Sequence, residues 1–128
     1  MKDSTSWKAI QFLETLQKMI HSFVFGVQFD SQGLPDAFMH MTPQMQMDLV
    51  RFGNVIFLDA QQQQFNSSGF PYISPVLHDD EGKVAQGAEA IVIEESHEIY
   101  AWVLSEMATL EPRFRLDKIR IISNSSLP

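Results

Sequence analysis

The chain has no cysteine. That removes disulfides, thiol nucleophiles and cysteine-based zinc sites, and it fits a reducing compartment. Basic residues are also scarce: nine Lys and Arg stand against 16 Asp and Glu, for a net charge of −7. Phosphate backbones are gripped by clustered Lys and Arg. Direct nucleic-acid binding is therefore disfavoured, and the densest cluster (Arg113, Arg115, Lys118, Arg120) reads as a solvated loop and strand edge. No apolar run nears the ~20 residues that span a bilayer, and the N-terminus carries no apolar leader segment. A soluble intracellular chain is expected. There is no GxGxxG or Walker A sequence, and His21, His40, His78 and His97 fall at no metal-ligand spacing. A Ser–His–Asp set is defined by geometry, so spacing identifies none.

What is present is enough for one globular domain. The 128 residues are 45% hydrophobic and include ten Phe, two Trp and two Tyr, a length that buries most of its unfolded surface. Residues 1–6 read as a disordered polar tail. Trp7, Ile10, Leu13, Leu16 and Ile20 then form one helical stripe with Ser6 as its N-cap. Phe23–Val27 and Leu34–His40 read as a hairpin about the turn Asp30-Ser31-Gln32-Gly33. Thr42-Pro43 opens a short helix closed by Gly53. Strands are expected at 55–59, 72–77 and 85–93, the first two separated by a polar stretch and the last two by the turn Asp79-Asp80-Glu81-Gly82. Ser96 caps a helix with the stripe Ile99, Trp102, Val103, Met107 and Leu110, and a strand at 118–123 follows. Short connections make the three central strands antiparallel neighbours. The helical crossover makes the last strand parallel to the one ending at Asp59, so Asp59 and Asn124 arrive at the same sheet end. The organisation is thus a helix, hairpin and short helix over 7–53, continuous with a core over 54–124 and a tail at 125–128. The fold class is α/β with a mixed sheet.

The order of small motifs carries a resemblance. A strand ends on Asp59, followed by Asn66, Pro71 and Pro75, the turn with Asp80 and Gly82, a small-residue strand, then Glu95, Glu98, Tyr100 and Trp102. This layout resembles the ribonuclease-H-like domain of Mutator-like (MULE) transposases, a group that includes transposase-derived transcription factors and SWIM-zinc-finger proteins. The resemblance covers roughly Phe12 to Asn124. It implies a ribonuclease-H-like core, incomplete at its C-terminus, in which strand-end aspartates hold metal ions for phosphoryl transfer. Two departures stand out. Gln61–Gln64 replaces the family's Thr-x-x-Thr, and the second aspartate falls on Asn124. The family's third acidic residue lies beyond this chain's end, and its zinc modules need cysteines that the chain lacks.

Two-metal chemistry needs convergent carboxylates, because Mg²⁺ and Mn²⁺ take hard anionic oxygens. Asp59 supplies one, while Asn124 offers a neutral carbonyl. Glu95 and Glu98 are weak additional candidates; acids there also stabilise a helix N-terminus through its dipole. The catalytic positions Asp59 and Asn124 read as vestigial, with no cofactor, and with Mg²⁺ or Mn²⁺ at Asp59 only if the chain is a nuclease subunit completed by another chain. Met39, Met41, Met45 and Met47 read either as core filler or as an adaptable partner surface. An open sheet face of several hundred Å² is an association surface, so a homodimer or a companion protein is expected there. The resulting expectation is a non-catalytic, transposase-derived interaction module in a nuclear regulatory or chromatin-associated complex. A metal-dependent DDE-type nuclease fragment and non-catalytic nucleic-acid binding are the alternatives.

Overall fold

The computed structural model describes residues 4–62, 70–94 and 96–123. Three α-helices accompany a mixed seven-stranded sheet among these residues. Helix α1 (Ser4–Met19) leads into a hairpin of β1 (Val24–Phe29) and β2 (Pro35–Met41), and α2 (Pro43–Phe52) follows. Strands β3 (Val55–Gln62), β4 (Pro71–His78), β5 (Val84–Gln86) and β6 (Glu89–Val92) precede α3 (His97–Leu110) and β7 (Arg120–Ser123). The strand order is β1-β2-β6-β4-β3-β7, with β5 also on β4. All pairings are antiparallel except β3 with β7, which is parallel.

Local chemistry explains most boundaries. The two acidic turns are built alike. Asp30 Oδ1 accepts from the N–H groups of Gln32 and Leu34 at 2.8 and 2.9 Å, and Asp79 Oδ1 accepts from those of Glu81 and Lys83, both at 2.9 Å. Gly33 and Gly82 both sit at φ +80°, where a side chain is strained. Thr42 Oγ1 accepts from Met45 N–H at 3.2 Å, and Ser96 Oγ from Ile99 N–H at 3.1 Å, so both expected caps are in place. Gly53 closes α2 at φ −80°, so glycine is not needed there for a left-handed turn. Its role is close approach, since a Cβ would stand 2.3 Å from the Leu49 carbonyl oxygen.

Four boundaries differ from expectation, the first at β3, which runs past the expected end at Asp59 to Gln62. Helix α1 begins at Ser4, so Ser6 lies inside it and residues 4–6 are not tail. The expected apolar stripe at the N-terminus does not enter the core: Trp7 and Ile20 are exposed, and Ile10, Leu13 and Leu16 are only half-buried. The strand expected at 118–123 starts at Arg120, after a 3₁₀ turn at Leu116–Lys118, because pairing begins where Arg120 N–H reaches Asn54 O at 2.7 Å. The strand expected at 85–93 is two strands. Val76 pairs with Gln86, yet Ile73 pairs with Ala90 rather than with Glu89. One extra residue is therefore accommodated around Gly87-Ala88, a β-bulge. Gly87 N–H donates to Pro75 O at 2.9 Å, and a Cβ there would sit 3.0 Å from Leu49 Cδ1. The bulge thus lets the strand press against α2.

One face of the sheet carries the core. Ala37, Met39 and Met41 of β2 alternate inward with Ile56, Leu58, Ile73, Leu77, Ala90 and Val92 of the neighbouring strands. Helices α2 and α3 cover this face through Met45, Leu49, Ile99, Tyr100, Val103 and Met107. Met39, Met41 and Met45 are core residues, which corrects their reading as partner-surface candidates; only Met47 is exposed, at 49%. After α3, Glu111 is buried and takes a two-pronged grip from Arg113, at 2.8 and 3.0 Å. That turn delivers Phe114 to the core.

Truncating a buried methionine leaves a cavity. Met41→Ala is expected to lower unfolding free energy by about 2–5 kcal/mol, and Met47→Ala by under about 0.5 kcal/mol, as read from urea midpoints. The Arg113 hydrogen bonds hold the Glu111 carboxyl below the usual carboxylate range. A carboxyl whose folded pKa is depressed stabilises fully above its unfolded pKa, and that contribution is lost as pH falls toward the folded value. Urea midpoints followed downward from neutral pH should therefore fall more steeply in the wild type than in Arg113→Met.

Candidate functional site

The strand end singled out by sequence is partly visible. Asp59 occupies β3 opposite Ser74 of β4. The parallel β3–β7 register runs from Val55↔Arg120 to Leu58↔Ser123. β7 thus ends at Ser123 beside Leu58, whereas β3 runs on through Asp59 to Gln62, so Asp59 lies within its strand and not at the strand end expected from the sequence. For Asp59 the backbone alone is described, and Asn124 and Glu95 lie outside the described residues. Glu98 is exposed on the first turn of α3 and lines a small polar cleft with Gln28, Asp36 and Ser96. Those partners belong to β1, β2 and the α3 cap, and β6 and β4 separate β2 from β3. At roughly 4.8 Å per strand, Glu98 is not brought beside Asp59, and its position suits the helix dipole. Among the described residues, no group of three or more His, Asp or Glu side chains could hold a metal ion.

A polar cluster lies on the sheet face opposite the core, and no sequence motif marked it. Cross-strand neighbours of an antiparallel pair share a face. The pairs His40↔Glu89, Phe38↔Ile91 and Tyr72↔Ile91 thus place Phe38, His40, Tyr72, Glu89 and Ile91 together. Tyr72 Oη donates to Glu89 Oε2 at 2.8 Å, and Gln86 Nε2 donates to Tyr72 Oη at 3.1 Å and Ser74 Oγ at 2.8 Å. Strict alternation would send residues 86 and 89 to opposite faces. The bulge at Gly87-Ala88 restores them to one face, which is why a strand pattern read at period two misses the cluster. His40 stacks on Phe23 with ring centres 5.5 Å apart, and its Nε2 stands 3.7 Å from Glu89 Oε1. Burial pulls the His40 imidazole below its ordinary value, and the Glu89 carboxylate partly offsets that. Burial and the hydrogen bond to Glu89 push the Tyr72 phenol up.

The same face divides in two. Helix α1 lies over the hairpin side, where Trp7 meets Phe29 at 6.1 Å between ring centres. On the other side, Val55 and Phe57 of β3 pair in register with Arg120 and Ile122 of β7, and Phe57 also pairs with Val76. Phe57 and Ile122 are 36% and 41% exposed, and Val84 is 67% exposed. Phe57 meets the edge of His78, at 5.0 Å between ring centres. No described helix covers these residues, so an apolar strip runs over β5, β4, β3 and β7.

Comparison with protein-family models, with curated proteins and with solved structures finds no match. Among the described residues, no helix is long and apolar enough to cross a membrane. The cationic residues near the C-terminal strand are exposed, as expected. Arg113 and Arg115 are engaged by Glu111 and Asp117, at 2.8 and 3.3 Å.

The His40–Glu89 geometry has a direct test by NMR titration. His40 should titrate below the ordinary imidazole value of about 6.5. Glu89→Gln should lower it further, because the offsetting charge is gone. An unchanged His40 titration in that variant would show that the carboxylate does not act on the imidazole.

Proposed function

We propose that this chain is a ribonuclease-H-like domain of transposase descent that no longer catalyses, and that it works as a protein–protein interaction module. The observation that carries this reading is the exposed apolar strip of Val55, Phe57, Ile122 and Val84 on the outer face of the described sheet. Contiguous exposed apolar surface of this kind is a recurrent mark of association sites. The strand order supports the frame: three antiparallel neighbours, β3, β4 and β6, with β7 returning parallel beside β3, is the arrangement the resemblance implies. The loss of catalysis rests on charge. A dication leaves water for anionic oxygens, and the amide Asn124 stands where the family's second carboxylate falls. Placement in a nuclear regulatory or chromatin-associated assembly rests on the resemblance alone. The net charge of −7 weighs against direct nucleic-acid binding.

Two measurements test the reading. In a Mn²⁺ titration followed by NMR, the wild type should show no selective broadening around Asp59, while Asn124→Asp should gain it. Tight wild-type Mn²⁺ binding there, with metal-dependent cleavage abolished by Asp59→Ala, would replace the module with a nuclease subunit. In sedimentation velocity, the wild type should associate with rising concentration, alone or with its partner protein. Phe57→Lys should remove the association with little change in unfolding midpoint, since the side chain is already partly in water.

A further inference from the structure

Between α1 and the sheet lies a cavity of about 170 Å³. An apolar cavity of about 150 Å³ takes a benzene ring, so this one has room for a single ring-sized body. Its walls are apolar: Phe12 and Leu13 descend from α1, and Phe38 and Ile91 rise from β2 and β6. Its polar groups converge at one place, where His40, Tyr72 and Glu89 line the same cavity. Few polar groups set in an apolar concavity is the usual composition of a small-molecule site.

The polar groups select the charge of the occupant. Glu89 is the one carboxylate in the lining, and no Lys or Arg lines the cavity. Its Oε2 is taken by the Tyr72 hydroxyl at 2.8 Å. Its Oε1 faces His40 Nε2 at 3.7 Å, beyond hydrogen-bond range. Burial favours the neutral imidazole, so His40 does not cancel the carboxylate at neutral pH. The Glu89 side chain is 30% exposed, and among the described residues no cation lies within hydrogen-bond range of its Oε1, so a partly buried negative charge faces the cavity. An ammonium group supplies the missing charge and donates to Oε1, and the rings of Phe12, Phe38 and Tyr72 add a cation–π surface.

We infer that the cavity under α1 binds a small organic cation, one ring-sized apolar body bearing a primary ammonium, through Glu89 Oε1 and the apolar walls. This site is separate from the bare sheet strip and does not depend on the function proposed for it.

The test uses 2-phenylethylamine as probe, with 2-phenylethanol as its neutral counterpart and phenylacetate as its anionic one, titrated into the whole chain by NMR. The amine should give saturable shifts at Phe38, His40, Glu89 and Ile91. The alcohol should bind at least ten-fold more weakly and the acid not at all. Glu89→Gln keeps an acceptor for Tyr72 and should erase the preference for the amine. Ala9→Phe, which fills the cavity from the half-buried inner side of α1, should abolish amine binding while leaving the unfolding midpoint near wild type. Equal binding of amine and alcohol to the wild type overturns the inference, as does an amine preference that survives Glu89→Gln. If Glu89→Gln does not fold, the wild-type ratio and Ala9→Phe decide alone: binding that persists in the filled variant also overturns it.

Discussion

Between Gln86 and Ala90 the chain fits one residue more than the facing stretch of β4, and both faces of the sheet are arranged around that residue. Inward, the bulge brings Gly87 against Leu49, where an added Cβ would stand 3.0 Å from Leu49 Cδ1. Outward, it sets Gln86 and Glu89 on one side, where Tyr72 bridges them. A bulge also increases local twist and bends its strand. Here β6 leaves β4 after two paired residues and continues along β2, joining the hairpin to the rest of the sheet.

The two faces are unequal in a way that energy explains. The inner face gathers buried side chains from four strands (β2, β3, β4 and β6) and two helices, and each fully buried Leu, Ile or Met contributes about 1.5–3 kcal/mol. Helix α1 is an accessory to this core, not part of it. None of its described side chains is fully buried, and its contacts are with the hairpin. The outer face therefore has a partial lid: a cavity where α1 sits and bare strands where it does not. The outer face of the described strands thus has two unlike regions, one concave and mixed in polarity, the other flat and apolar.

The chemistry available at these places follows from what sits there. Along β3, Asp59 pairs with Ser74 of β4, and β7 ends at Ser123 beside the preceding residue, Leu58. On the outer face, a carboxylate is held by a phenol and flanked by an imidazole that burial keeps uncharged. That arrangement has hydrogen-bonding and charge selectivity but no activated nucleophile. The open strip, by contrast, presents mainly hydrophobic area.

Much of this was legible in residue order because it is local. Asp and Gly at the first and fourth turn positions, Thr before Pro, and Ser three residues before Ile99 each act through hydrogen bonds within four residues. The helical spacing of α3 told which side meets the sheet. The methionines could be read either way, because flexible apolar side chains suit both a core and a binding surface. Tertiary pairing decided for the core at three of the four. It also decided the Gln86–Glu89 juxtaposition, the cavity under α1 and the bare strip, since each depends on residues from distant parts of the chain meeting across strands. By itself, then, the sequence determined turns, caps, an acidic charge and the absence of thiol chemistry, all properties of neighbouring residues or of composition. Only the tertiary structure decided which surfaces stay open, because coverage of a sheet face depends on where every other element comes to rest.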